Sequence, residues 1–520
     1  MRVGAIYAGV EPQPGRYDER YLASIRRTVD LLAAEGVFSQ VDFHQDLYHE
    51  RFRGEGWPEW AVQDDGLPAE PNAGFPGNYL VMPGLNAAFD NFWENSPGPG
   101  GVGLQDRYAA AWRHVAGRFK GHPYVMGYDI LNEPWPGSVH PTCASTQGCP
   151  QADAERLAPF TARVLKAIRS ADRENIVWYE PFVHFDFGAD SAHPDTGDSR
   201  AGFSFHDYCL RGAVTGSAGE DPVREDCPTV EELVFENAEK QSQETGDALL
   251  LSEFGATDDL PAIERIVELS DRRLVSWQYW HYCGCEDPTT SGPGGQAVVI
   301  DPKKAPSGDN VKERKLDLLV RPYPQVVAGT PTRVRFDAGT KAFELRYATK
   351  RPEGAQHAPG ALTEVFVPRR HYPGGYRAEV TGGKVTSATN AERLTLTATP
   401  GAETVTLKLA RTTAGLSMAS RPVRASRSGV VRIAVSCLAA AGTNCTGTLV
   451  LRRGKRVMAR GRFSVPAGAT RARPVRLTRY GRRALGRRRS MPVVAAAAGQ
   501  AGPERVTAGA RLRLLRQRRR

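Results

Sequence analysis

Short apolar runs alternate with amphipathic segments along residues 1–300. Runs such as "ALLLSEF" are bounded by turn residues, as in buried strands. By contrast, "YDERYLASIRRTVDLLAAEG" repeats its apolar residues at helical spacing and ends in Gly36. The repetition of strand and helix predicts an α/β fold, with a parallel sheet and helices outside it. The predicted strands are "MRVGAIY", "VFSQVDFH", "YVMGYDIL", "NIVWYEP", "GFSFHDY", "ALLLSEF" and "LVSWQYWHY".

The closed (β/α)8 TIM barrel is the architecture expected for such a series over this length, with its active site at the C-terminal ends of the strands. The pattern contains seven strand-like segments where eight are expected. We therefore predict a TIM barrel whose first strand is absent from this chain. An open barrel exposes strand edges and part of its core, which costs stability, so we favour a misplaced chain start.

The pattern changes beyond Asp301. Segments such as "AERLTLTATPGAETVTLKLA" alternate apolar and polar residues between Gly and Pro turns, which is typical of antiparallel β-sandwich strands. A second group of short alternating segments begins near residue 427. The predicted domains are a catalytic barrel over 1–300, a β-sandwich over 311–412 and a small Arg-rich β domain with a basic tail over 420–520.

The net formal charge of +10 is unevenly distributed along the chain. Residues 411–520 contain 27 Lys and Arg and a single acid, Glu504, a charge of +26; the other 410 residues contain 41 basic and 57 acidic residues, a charge of −16. A basic end favours nucleic acid or an anionic surface. Because no aromatic-basic interleaving or binding motif accompanies the charge, we expect an anionic cell-surface contact and no nucleic acid. No apolar run approaches the roughly 18 residues of a membrane span.

Eight cysteines fall into close pairs along the sequence. An even count at short spacings indicates disulfides and an oxidising compartment, so we expect a secreted protein. The chain opens on a strand-like segment without a leader pattern, which we attribute to a truncated N-terminus. No Cys-x-x-Cys motif occurs, so the cysteines give little indication of a zinc site. The expected pairs are Cys143/Cys149, Cys209/Cys227, Cys283/Cys285 and Cys437/Cys445.

Polar side chains gather where the predicted strands end. A lone acid at a strand end is usually a cap or an ion-pair partner, but here acids, histidines and aromatic residues from different repeats fall at one rim. Glycosidic bonds are cut by paired carboxylates, one protonating the leaving oxygen and the other attacking the anomeric carbon or activating water. The candidate residues are His44, Asp46, Asn132, Glu133, His206, Tyr208, Glu253 and Trp280.

Two motifs resemble a known enzyme family. The stretches "YDILNEPWPG" and "LLLSEFGAT" resemble the two catalytic-glutamate motifs of glycoside hydrolase family 5, the retaining cellulase-like barrel enzymes. The similarity spans about residues 1–290, and the sandwich at 316–410 matches an appended domain of its endoglycoceramidase branch. The segments that resemble this branch are "VDFHQDLYHERF", "EGWPEWAV", "NAAFDNFWEN" and "NEPWPG".

The resemblance implies Glu133 as the acid/base and Glu253 as the nucleophile of a retaining β-glycosidase, with no metal or organic cofactor and a glycan or glycolipid such as a glycosylceramide as substrate. Carboxyl groups about 5 Å apart would favour retention, and about 6.5 Å or more would favour inversion. A sugar-contacting lysine of the endoglycoceramidase branch has no counterpart here. The residues implied to line the sugar site are Arg2, His44, Asp46, Asn132, His206, Tyr208 and Trp280.

Some alternatives remain open at this stage. Arg2 also suits a role that only neutralises a carboxylate, and His206 that of a hydrogen-bonded core histidine. Trp277 is expected to pack, because strand alternation points it away from Trp280. The segment "PGLNAAFDNFW" is either an apolar patch for a lipid or a packed helix. The rival functions are an endo-β-1,4-glucanase or other β-glycosidase on the same scaffold, and a non-catalytic carbohydrate- or cell-wall-binding protein.

Overall fold

The computed structural model divides the chain into two compact units, Met1–Lys315 and Leu316–Arg520. No helix in the described part of the chain is both long and apolar enough to cross a membrane. The described residues are 1–208, 226–283, 296–373, 375–411, 415–439, 443–486, 488–501 and 504–516.

A seven-stranded parallel sheet forms the centre of the first unit, and its hydrogen-bonded order follows the chain order from β1 to β7. The sheet curls as in a TIM barrel and so brings the ends of β2 and β7 together. The ring of His44 at the end of β2 stacks on that of Trp280, which follows β7, with centroids 5.1 Å apart. The predicted barrel-like fold and its seven strands are confirmed. The strands are β1 Arg2–Ile6, β2 Ser39–His44, β3 Val125–Asp129, β4 Ile176–Tyr179, β5 Ala201–Asp207, β6 Ala248–Phe254 and β7 Ser276–Trp277.

Helices lie between these strands and after the last one. The apolar faces of the helices explain where the helices form. Asp18 caps the first long helix by accepting hydrogen bonds from the backbone N–H groups of Arg20 and Tyr21, and Leu22 and Val29 are buried on its inner face. The helices are α1 Tyr7–Val10, α2 Glu19–Ala34, α3 Asn78–Val81, α4 Pro83–Trp93, α5 Leu104–Phe119, α6 Pro150–Ala152, α7 Ala158–Ala171, α8 Cys227–Thr245, α9 Leu260–Arg273 and α10 Glu313–Leu319.

Helix α4 decides one of the alternatives left open by the sequence. The segment "PGLNAAFDNFW" is a packed helix, since Leu85, Phe89, Phe92 and Trp93 are all buried. The exposed apolar side chains nearby belong instead to α3, where Leu80 is 55% and Val81 38% exposed.

Two four-stranded antiparallel sheets in the second unit enclose a core that includes Phe343, Leu345, Leu396 and Leu407. One sheet has the order β12-β15-β10-β9 and the other β13-β14-β11-β8. The strands are β8 Tyr323–Val326, β9 Thr330–Phe336, β10 Phe343–Ala348, β11 Leu362–Phe366, β12 Tyr376–Thr381, β13 Gly383–Val385, β14 Arg393–Ala398 and β15 Thr404–Arg411.

The Arg-rich end of the second unit folds into an eight-stranded sheet of order β16-β18-β21-β20-β19-β22-β23-β17. Its inward residues alternate with outward ones, so that Val493, Ala495 and Ala497 are buried on β22. The short helix α11 spans Arg479–Gly486. The strands are β16 Gly415–Met418, β17 Val423–Arg424, β18 Val430–Leu438, β19 Asn444–Arg453, β20 Arg456–Pro466, β21 Thr470–Leu477, β22 Ser490–Ala501 and β23 Glu504–Leu515.

Two of the expected disulfides are described in full, Cys143–Cys149 and Cys437–Cys445. Cys227 and Cys283 are also disulfide-bonded. The partners predicted for them, Cys209 and Cys285, lie outside the described residues.

Candidate active site

The two glutamates of the motif stretches meet at the C-terminal ends of the parallel strands. Glu133 follows β3 and Glu253 belongs to β6, and both side chains are largely buried. The Nδ1 atom of His206 lies 2.9 Å from Oε1 of Glu133 and 3.6 Å from Oε2 of Glu253. One carboxylate oxygen of Glu133 lies within 4.8 Å of one of Glu253. This separation fits the spacing of about 5 Å used by retaining glycosidases.

Glu253 is surrounded by hydrogen-bond donors. Nη1 of Arg2 donates to its Oε1, and the hydroxyl of Tyr208 donates to its Oε2 at 3.0 Å. Burial and the charge of Glu133 raise the pKa of Glu253 above its usual value, and the charges of His206 and Arg2 limit this rise. The donors therefore favour the carboxylate form that a nucleophile requires.

The backbone of Glu133 is held on both sides. Its φ angle is +41°, in the left-handed region that costs an L-residue about 1–2 kcal/mol. Its N–H donates to Glu180 Oε2 at 2.8 Å, and its carbonyl accepts from Gln45 Nε2 at 2.9 Å. These bonds fix the direction in which the Glu133 side chain leaves the strand end.

His206 bridges the carboxylates as a charged group. Burial lowers its pKa, but Glu180 and Glu253 together with the hydrogen bond to Glu133 raise it well above 6.5. With the imidazole protonated, Glu133, His206 and Glu253 form an ion-pair network.

His44 and Trp280 form a stacked pair beside the glutamates. Nδ1 of His44 lies 2.9 Å from Asp42 Oδ2, and its Nε2 lies 3.9 Å from Asp46 Oδ2. Burial lowers the pKa of His44, but Asp42, Asp46 and Glu253 raise it to about 10. Trp277 lies on the other side of the sheet, where it packs edge-on against Phe254 at 5.5 Å.

Asn132 precedes the acid/base candidate and is hydrogen-bonded to a residue of β1 and to a residue that follows β2. Its Oδ1 accepts from Arg2 Nη1 at 2.8 Å, and its Nδ2 donates to the carbonyl of Gln45 at 2.8 Å. The contact of Asn132 with a sugar hydroxyl remains a prediction.

Arg2 pairs with more carboxylates than the sequence indicated. Besides Glu253 it contacts Asp42 and Asp129 at 3.1 Å and Glu180 at 2.7 Å. The search for polar residues at predicted strand ends did not select these three acids, although Glu180 is the last but one residue of the predicted strand "NIVWYEP". Only the inward direction of their side chains, which depends on the register of the sheet, distinguishes them from surface acids.

Comparisons with known proteins agree with this geometry. Residues 2–286 match the cellulase model of glycosyl hydrolase family 5, and residues 321–409 match the glycoside hydrolase family 5 C-terminal domain. The chain is 33% identical over 437 residues to Endoglycoceramidase I of Rhodococcus hoagii, which covers 82% of this chain and 81% of that protein.

Solved structures of Endo-glycoceramidase II from a Rhodococcus species are also similar. Its lactosyl-enzyme intermediate superposes with a TM-score of 0.64 at 28% identity. Its ganglioside GM3 complex gives a TM-score of 0.65 at 27% identity. Each comparison covers 79% of this chain and 88% of the other.

Proposed function

Because this chain belongs to glycoside hydrolase family 5, we propose that it is a retaining endoglycoceramidase that hydrolyses the β-glycosidic bond between the glycan of a glycolipid and its ceramide. The observation that carries the proposal is the similarity to Endoglycoceramidase I, which extends through 82% of this chain.

The first half of the reaction forms a glycosyl-enzyme. Glu133 donates its proton to the glycosidic oxygen as the bond from that oxygen to the anomeric carbon breaks. Glu253 attacks the same carbon from the opposite face, and a bond forms between this carbon and a carboxylate oxygen. Arg2 and Tyr208 hold Glu253 in place for the attack.

The second half releases the sugar. Glu133, now ionised, takes a proton from water, and the water oxygen attacks the anomeric carbon. The bond to Glu253 breaks and its carboxylate is restored. Two inversions at one carbon give net retention, in agreement with the close approach of the two carboxylates.

Helix α3 supports a lipid aglycone over a glucan. The exposed residues Leu80 and Val81 follow Tyr79, whose ring stacks on Trp135 with centroids 4.8 Å apart. Trp135 lies two residues after Glu133 in the chain. An exposed apolar pair in this position suits a ceramide chain better than a further glucose unit.

The test measures hydrolysis of a fluorescent glycosylceramide and of carboxymethyl cellulose by the same protein. We expect turnover of the glycolipid only, and its loss in Glu253→Gln. In Glu133→Gln, a β-glycoside with a dinitrophenyl aglycone should give a burst of phenol and a covalent glycosyl-enzyme detectable by mass, because that leaving group needs no proton. Turnover that survives Glu253→Gln contradicts the mechanism, and turnover of cellulose alone favours the glucanase.

We also propose that the protein works outside the cell and contacts an anionic surface through its C-terminal sheet. The disulfides in both units support an oxidising compartment. Arg432, Arg460, Arg462 and Arg476 are exposed on β18, β20 and β21, and Arg460 lies opposite Arg476. Among the described residues after position 411, no arginine is paired with a carboxylate, so the charge of this face is left for an external partner.

A further inference from the structure

Glu180 is a buried carboxylate of the first unit that the mechanism above does not use. It follows β4, and its side chain is 3% exposed. Such a charge is costly to bury unless it is paired, so its partners indicate why it is there.

The two oxygens of Glu180 contact three groups of the candidate active site. Oε2 accepts the backbone N–H of Glu133 at 2.8 Å. Oε1 accepts from Arg2 Nη2 at 2.7 Å and lies 3.3 Å from His206 Nε2. One side chain therefore contacts the acid/base candidate, the arginine that binds the nucleophile and the histidine between them.

The bond to Glu133 bears on its backbone conformation. A residue with φ of +41° is retained only where its surroundings hold it. Gln45 Nε2 holds the carbonyl of Glu133, and Glu180 holds its N–H. If the N–H bond is lost, the peptide between Asn132 and Glu133 is still held at its carbonyl, which accepts from Gln45 Nε2 at 2.9 Å, but its N–H side is no longer fixed, so the Glu133 carboxyl is placed less precisely.

Charge is the second contribution of Glu180. Burial raises its pKa, but His206, Arg2 and the Glu133 N–H lower it below its usual value, so the side chain is ionised. Arg2, His206 and His44 also face Glu253, and Asp42, Asp129 and Asp186 are further acids nearby. Without the charge of Glu180, Arg2 and His206 act more strongly on Glu253 and favour its ionised form.

We propose that Glu180 is a positioning residue for the reaction inferred above: it holds the Glu133 backbone in its left-handed conformation and balances the charges of Arg2 and His206. The inference rests on the proposed glycosidase function. A catalytic role is not implied, because Glu180 contacts no reacting atom.

Glu180→Gln keeps the shape and removes the charge. On a glycolipid, whose alkoxide leaving group needs a proton, we expect kcat to fall roughly tenfold or more. On a dinitrophenyl glycoside, which needs none in the first step, the rate of phenol release in a single turnover should stay within about threefold of wild type. The basic limb of the pH profile of kcat/KM should move to lower pH by about half a unit or more, because the positive charges of Arg2 and His206 are no longer balanced by Glu180.

Glu231→Gln is the matched control. Glu231 is a buried glutamate that pairs with Arg265 outside the barrel interior. We expect this change to lower the melting temperature. The pH profile of kcat/KM and the ratio of the rates on the glycolipid and on the dinitrophenyl glycoside should stay as in wild type. A merely structural Glu180 would behave in the same way, and that result would overturn the proposal.

Glu180→Asp keeps the charge but shortens the side chain by one methylene group. Its pH profile should lie closer to that of wild type, while kcat on the glycolipid is low because the shorter side chain does not reach the Glu133 N–H. If Glu180→Gln does not fold, Glu180→Asp with both wild-type pH limbs and wild-type kcat refutes the inference. Absence of glycosidase activity in the wild type would contradict the proposed function itself, whereas unchanged rates and limbs in Glu180 variants of an active enzyme contradict only this inference.

Discussion

Tyr208 donates a single hydrogen bond to Glu253, at 3.0 Å. Burial and the charge of Glu253 raise the pKa of this phenol well above 10, so it remains a neutral donor at neutral pH. A hydrogen bond to a charged group contributes about 1.5–3 kcal/mol. We expect Tyr208→Phe to lower kcat on the fluorescent glycosylceramide by about 10–100-fold, while folding is retained.

The control for this change is Tyr282→Phe, at a tyrosine that is 50% exposed. Steady-state kinetics of both variants give the comparison. Equal, small decreases of kcat in both variants would mean that the hydrogen bond from Tyr208 to Glu253 does not contribute to catalysis.

His44 links the charge of the site to stability. Its pKa is lowered by burial but raised by Asp42 and Asp46 to about 10, against 6.5 in an unfolded chain. A raised folded-state pKa stabilises the fold fully below pH 6.5, and this contribution is lost as pH rises through about 10. We expect the melting temperature of wild type to exceed that of His44→Gln at pH 6.5 and the difference to shrink towards pH 10. Thermal unfolding of both proteins followed across this range tests the sign, and a constant difference contradicts it.

At the scale of single residues, the sequence identified the candidate active-site side chains at strand ends. It did not identify the buried acids that contact Arg2, such as Asp129 and Glu180. Glu133 and Glu253 stand out because motifs surround them. Asp129 and Glu180 also end strands, yet the sequence does not distinguish an inward acid from a cap. Their direction is set by the stagger of neighbouring strands in a curled sheet, which involves residues far apart in the chain. The catalytic, binding and positioning roles given to these residues remain predictions.

At the scale of elements, helix α3 carries two exposed apolar side chains, Leu80 and Val81. We expect Leu80→Asp to lower kcat/KM on glycosylceramide in lipid vesicles by about tenfold or more, since a charge disfavours contact with an acyl chain. Hydrolysis of a dinitrophenyl glycoside should be unchanged, because its aglycone does not reach α3.

Leu31→Asp is the matched control, at a leucine of α2 that is 70% exposed. It should leave both activities unchanged. A parallel loss on both substrates in Leu80→Asp would point to a folding defect and contradict the role given to α3.

The strands of the first unit were predicted from sequence because each is a short apolar run between turn residues. Strand β22 was not predicted. Its segment "VVAAAAG" is rich in alanine, which has little intrinsic preference for strands, and pairing with β19 and β23 on both sides overrides that preference. The packed state of α4 was left open, because an apolar helix has the same pattern whether it meets protein or lipid.

At the scale of the whole molecule, the charge is divided along the chain. We expect binding to vesicles containing anionic phospholipid, and its loss at high salt. The triple change Arg460→Gln, Arg462→Gln and Arg476→Gln should weaken binding roughly 100-fold, since each arginine near a membrane contributes about 1 kcal/mol.

Vesicle sedimentation measures this binding, with Arg20→Gln, Arg27→Gln and Arg53→Gln as a control of equal charge on exposed arginines of the first unit. Equal losses in both triple variants would indicate non-specific attraction. Binding to vesicles without anionic lipid, unaffected by salt, would contradict the proposed contact.

The left-handed backbone at Glu133 has a consequence for engineering. Glycine adopts φ of +41° without the penalty paid by any other residue, so Glu133→Gly removes the carboxyl and relieves local strain at the same time. The vacated volume would be open to a small anion such as formate or azide. Chemical complementation should therefore be more effective in Glu133→Gly than in Glu133→Ala, and azide would leave with the sugar as a β-glycosyl azide.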